Sequence, residues 1–246
     1  LSGTMTGTSD FNTVQLSNSG TKTFSANAST SALTIASGVT VSAPTQLSVS
    51  TLTNSGTLTA PSSYLYVSGS YTNSGTFTAG SGTTTFSGTS AQTLSGTMTG
   101  SSNKFNHLEF SGSGTKSFGS NSASTTNFFI DSTSGAVTAP STLLSIAGHY
   151  NNSGDFTDNS GTIYFSGASA QTLSGTMIGA SDDFASTTFL GAGTKTLSAN
   201  ASTTHFTIDS GSGAVVAPTL LSISRNYSNS GDFTDNSGTI YFSGAS

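Results

Sequence analysis

Sixteen residues, GDFTDNSGTIYFSGAS, stand at 154–169 and return unchanged at 231–246. The longer phrase SAQTLSGTM begins at Ser90 and again at Ser169, a step of 79 residues, and LSGTM opens the chain at Leu1. Self-similarity on this scale restricts the fold more than any composition does, because each copy must find the same environment. Three long units result: 1–89, 90–168 and 169–246. The repeat runs on in phase, since only Ala170, Gln171 and Thr172 separate Ser169, the counterpart of Ser246, from Leu173, the counterpart of Leu1. The sequence therefore reads as a window of a longer array, or as a subunit that stacks on its own copies.

Smaller repeats lie inside the large ones. LTNSGTL at 52–58, YTNSGTF at 71–77, YNNSGDF at 150–156 and YSNSGDF at 227–233 share one grammar: apolar, polar, Asn-Ser-Gly, Thr or Asp, apolar. All four prolines follow alanine, at Pro44, Pro61, Pro140 and Pro218, and Pro44 is a surplus copy 17 residues before Pro61. The first unit has thus taken in one extra short module. A tandem immunoglobulin-like sandwich does not accept such an insertion, because every strand has its own place in a Greek key. A β-solenoid does, since each coil contacts only its neighbours.

Local patterning agrees. In ALTIA, Leu33 and Ile35 fall on one face and Thr34 on the other; in TIYF, Ile163 and Phe165 face inward and Tyr164 outward. Gly and β-branched Thr are abundant and no apolar stripe of helical period persists, which disfavours helix. Sixteen Phe and seven Tyr at fixed places argue against a disordered linker. The expected fold is all-β: one continuous parallel β-helix over 1–246, of about 13 coils of 17–22 residues and roughly 60 Å long at about 4.8 Å per coil. Asn-Ser-Gly is expected at corners with Asn and Gly at positive φ, and stacked Asn side chains in a ladder. Ala-Pro suits another corner, where no ladder N–H is needed.

Charge and motif content exclude several functions. Five cations against ten acids leave no electrostatic footprint for nucleic acid or anionic membrane. Without cysteine there is neither a disulfide framework nor a thiolate metal site. No nucleophile elbow or phosphate loop is present, and no cofactor is expected. Asp155 with Asp158, and Asp232 with Asp235, are the densest acids, candidates for calcium but more simply turn residues. His107, His149 and His205 fall at different registers, with no metal-ligand spacing. Asn27, Asn151, Asn200 and Asn226 open N-glycosylation sequons. Thr-x-Thr pairs from Thr21, Thr51 and Thr76 raise an ice-binding alternative, and Tyr64 with Tyr66 in YLYV are the best placed aromatics for stacking on sugar.

SGTFTAGSGTTTFSGTSAQTLSG at 74–96 resembles the Ser/Thr/Gly-rich repeats of large bacterial surface proteins, the autotransporter passengers and filamentous-haemagglutinin-like adhesins. That resemblance implies a right-handed parallel β-helix, secretion and a part in adhesion or matrix; it carries no functional residue over. The expectation is a non-enzymatic segment of an extracellular, bacterial surface fibre, stalk or adhesin. Its partners would be further repeats or copies of itself, end to end, and surface glycans. A glycan- or ice-binding solenoid with an outward Thr/Tyr face is the alternative.

Overall fold

In a computed structural model, which describes residues 1–179 and 181–244, the chain winds as a β-solenoid of about 12 turns. Residues 245 and 246, the end of the second sixteen-residue copy, lie outside the described residues. Apart from one 3-10 turn at Gly7–Ser9, every regular element described is a strand. The pairings are parallel, as one-directional winding demands.

The strands stack in three rows. The first row runs unbroken through Leu47, Leu65, Thr84, Leu108, Phe128, Tyr150, Leu173 and Leu197, and continues from Lys195 to Val215 and Phe233. The second begins with Leu33, Leu52, Tyr71 and Leu94, then passes along the strand Gln92–Gly96 to Lys116, Val137 and Phe156. The third begins with Thr21, Thr40, Thr57 and Thr76. Steps between stacked residues are 18 from Leu47 to Leu65 but 24 from Thr84 to Leu108, beyond the 17–22 read from the sequence.

The long steps coincide with the LSGTM segments, and they change the geometry. Between Gln92–Gly96 and Phe105–Phe110 the chain crosses the third row without making a strand. Asn103 covers that row instead: its Oδ1 accepts from the Phe77 N–H at 2.8 Å and from Asn73 Nδ2 at 3.1 Å. Met98 then bridges to Ala123, and the row restarts as Ala123, Leu144, Ile163, Thr187, Phe206 and Tyr227. One repeat later Asp182 covers the second row in the same way, accepting from Phe156 N–H and Asn152 Nδ2, each at 2.9 Å. Met177 bridges to Ala201, and that row restarts through Leu221 and Ile240.

Equivalent strands of successive repeats therefore sit on different rows. Thr83–Phe86 lies in the first, Thr162–Phe165 in the third and Thr239–Phe242 in the second. The 79-residue repeat occupies eleven strand positions at three per turn, or three and two-thirds turns. Each repeat is rotated by a third of a turn against the last. The sequence suggested equivalent whole coils; the crossing without a strand is what breaks that equivalence.

Inward positions form one continuous core. Leu33, Ile35, Ile163 and Phe165 are buried, as the alternation predicted. At the first crossing Tyr71, Phe77, Phe86 and Phe105 meet with centroids 5.4 to 6.2 Å apart; Tyr150, Phe156, Phe165 and Phe184 repeat the cluster. Edge-to-face contacts dominate both, the arrangement the ring quadrupoles favour.

The Asn-Ser-Gly corners are of two kinds, and only one has the expected positive φ. Asn54, Asn73 and Asn152 point inward and are buried, and Asn54 Nδ2 donates to Asn73 Oδ1 at 2.8 Å, the first rung of a ladder that ends on Asn103. Neither these asparagines nor Gly56, Gly75 and Gly154 have positive φ. Glycine is required there for close approach: a Cβ on Gly75 would overlap the backbone of Ser55 and Gly56 in the turn below. Positive φ is found in other Asn-Ser-Gly triplets, at Asn18 and Gly20, at Asn159 and Ser160, and at Asn236 and Ser237.

Candidate binding surface

Each acid of the repeated GDFTDN has a structural task or none. Asp158 Oδ1 accepts from the Ser160 N–H at 2.9 Å and Asp235 Oδ1 from Ser237 at 3.1 Å, short turns that tolerate the left-handed residues following them. Among the described residues no group of three His, Asp or Glu side chains is placed to hold a metal ion. Burial, with Asp158 and Asp182 nearby, raises the Asp183 carboxyl above its usual range.

The sequon asparagines divide. Asn27 and Asn200 hold corners, accepting from Gln46 N–H at 2.9 Å and Leu220 N–H at 3.0 Å. Asn151 donates to Ser174 Oγ at 2.9 Å, and Asn226 lies exposed on Leu220–Asn229. Of the Thr-x-Thr pairs, those from Thr21 and Thr76 belong to a regular array on the third row. Thr21, Thr40, Thr57 and Thr76 form one outward column and Thr23, Ser42, Thr59 and Thr78 the next. The pair from Thr51 lies elsewhere, in the long strand Gln46–Asn54.

Two lysines are buried, which their sequence context did not signal. Lys116 Nζ donates to the carbonyls of Ser111, Gly112 and Gly88, and Lys195 Nζ to those of Gly191, Gly193 and Gly167. Each closes its own glycine-rich loop onto the turn below. Burial pushes the Lys116 ammonium down to about 8, and Lys195 in the same direction. Lys22, the equivalent in the first unit, makes only exposed bonds, to Asn18 and Ser19 carbonyls.

The outward face of the first row gathers the most varied side chains. Tyr64 and Tyr66 stack with centroids 5.4 Å apart and planes 13° from parallel. Above Tyr66 come Thr85, Glu109, Phe129 and Asn151 in successive turns; above Tyr64 come Thr83, His107 and Asn127. Thr85 Oγ1 donates to Glu109 Oε2 at 3.3 Å, and the His107 and Phe129 rings lie 6.4 Å apart, 19° from parallel. His107 Nδ1 and Asn127 Nδ2 are 2.9 Å apart, and Asn127 Oδ1 accepts from the His149 N–H at 2.7 Å. Two of the three histidines, separate in sequence, thus join one polar column, while His205 stands on the third row. Tyr66 has its hydroxyl pKa raised, by burial first and then by Tyr64 and Glu109.

Reading the sequence alone found Tyr64 and Tyr66 but missed Glu109 and Phe129. A signal existed. Glu109 is the one glutamate of the chain, and Phe129 replaces the threonine found at the matching positions Thr34 and Thr207.

Comparison of the chain with protein-family models, with curated proteins and with solved structures found no match in any of the three.

Proposed function

We propose that this chain is a non-enzymatic structural segment of an extracellular surface fibre, stalk or adhesin, probed best as a mechanical rod. The observation that carries the reading is the fractional repeat. A unit of three and two-thirds turns carries the first row on unbroken and resumes each covered row beyond its crossing, so units add length along one stack. The rod is about 58 Å long, from about 12 turns at about 4.8 Å each. Its ladders tie each turn to its neighbours, and only 6% of its residues are charged. The secreted, bacterial setting rests on the resemblance of its Ser/Thr/Gly-rich repeats to those of large bacterial surface proteins. Because each turn pairs only with its neighbours, turns of another copy would add to such a stack in the same register, which is the self-stacking proposed.

Negative-stain microscopy of the pure protein tests this. Rods, single or joined end to end, are expected, with resistance to proteases along their length. Discrete compact particles would refute the rod, and rods that never join at high concentration would refute self-stacking.

A second reading rests on the threonine array of the third row, seven Thr and one Ser in two columns over four turns. Such a grid suits adsorption to ice. Thermal hysteresis and ice-crystal faceting are its assays, and their absence would dismiss it.

A further inference from the structure

We infer that the outward face of the first row, around the stacked pair Tyr64 and Tyr66, is a binding groove for a neutral oligosaccharide. An open groove of ≈ 380 Å³ lies beside Tyr64, lined also by Thr83, Glu109, Phe129, Asp131 and Asn151. A second groove of ≈ 220 Å³ is lined by Tyr66 and by the serines Ser29, Ser48 and Ser68. Each tyrosine of the stacked pair thus borders a groove. From Tyr64 to the level of Asn151 the surface climbs four turns, about 19 Å.

Three independent observations point to a ligand here. First, this face differs from its counterparts in the chain's own repeat. Tyr64, Tyr66, Glu109 and Phe129 match Leu143, Ser145, Thr188 and Thr207 at the equivalent places one repeat on. Structural needs are met by the smaller residues there, so the fold does not demand the aromatics and the acid. Second, those substitutions come from three separate strands and become neighbours only because the strands share one row. Third, the outward aromatics are held: Tyr64 against Tyr66, and Phe129 against His107, which is itself bonded to Asn127. Pre-set side chains lose little freedom on binding.

The chemistry selects the ligand class. Aromatic planes offer apolar, electron-rich faces to the C–H face of a sugar ring. Thr83, Asn151 and the serines exchange hydrogen bonds with hydroxyls in either sense, and the carboxylates of Glu109 and Asp131 accept from them. Neither groove is lined by Lys or Arg, and the two charges present are negative, so anionic glycans and nucleic acids are repelled. The scaffold reading does not depend on this site, nor this site on self-stacking.

The test uses the whole chain against hexasaccharides of β-1,3-glucan, β-1,4-glucan, chitin, xylan and mannan by titration calorimetry and saturation-transfer NMR. At least one is expected to bind at millimolar or lower Kd. Phe129→Thr, which installs the residue of the sister repeats and so preserves the fold, is expected to weaken binding about tenfold. The double variant Y64A/Y66A is expected to abolish it, whereas Tyr164→Thr, on the third row, leaves it unchanged. Binding to none of the five, equal binding by the Tyr64/Tyr66 and Phe129 variants, or preference for spermidine or for an acidic hexasaccharide over all of them would overturn the assignment. Rods seen by microscopy alongside any of these results would leave the scaffold reading standing.

Discussion

Replacing Asp182 by alanine examines the device that ends one strand row and lets the next repeat begin on another. Its Oδ1 accepts from the Phe156 N–H and from Asn152 Nδ2, each at 2.9 Å, and Asn152 is fully buried. Asn152 Nδ2 keeps one bond, to the Thr176 carbonyl at 3.0 Å, so the deletion orphans one backbone donor and half of one amide. An unsatisfied buried donor costs about 1–3 kcal/mol, which gives a loss of about 2–4 kcal/mol for the pair. Asn103 performs the same task at the first crossing with an amide oxygen, so Asp182→Asn should recover most of the loss. Solenoids unfold region by region, so the readout is hydrogen exchange at the Phe156 amide, supported by urea unfolding. Exchange at Phe156 should quicken strongly in Asp182→Ala and little in Asp182→Asn, with remote amides near Leu65 unaffected. A change below about 0.5 kcal/mol in the alanine variant, or an asparagine variant as damaged as the alanine one, would show that this side chain does not hold the crossing.

Other consequences are open to measurement. Tyr71 has a fully buried hydroxyl without a partner, so Tyr71→Phe should stabilise the fold by about 1 kcal/mol in urea unfolding. Gly75→Ala should destabilise by about 3 kcal/mol or more, because the new methyl meets backbone that cannot move without parting two turns. Stability should rise with pH from about 8 toward 10: the folded Lys116 ammonium titrates near 8 against 10.5 when unfolded, so the unfolded chain binds more protons across that window. Above 10 the trend should reverse, since buried Tyr71 keeps a proton that the unfolded phenol loses at its usual 10.0; Lys116→Met combined with Lys195→Met should flatten the rise. Excising residues 46–63 removes one strand from each row and should leave a folded, shorter rod by circular dichroism and scattering, whereas excising 46–54 alone should not fold.

Much of this architecture was legible from the letters. The interchangeable short modules allow only a stack of like turns, and alternation in ALTIA and TIYF fixes which side chains enter the core, because a strand has a period of two wherever it lies. Even the asparagine ladder followed from repeating Asn-Ser-Gly, though its glycines answer to crowding between turns and not to torsion angle. The row that each strand joins was not legible. Local sequence reports a residue's immediate environment, which is the same in every copy; the row depends on how many strand positions the LSGTM crossing consumes, and that is counted only by pairing across the turns. For the same reason Tyr64, Glu109 and Phe129 look unrelated along the chain and become one surface only when the stacking brings them together.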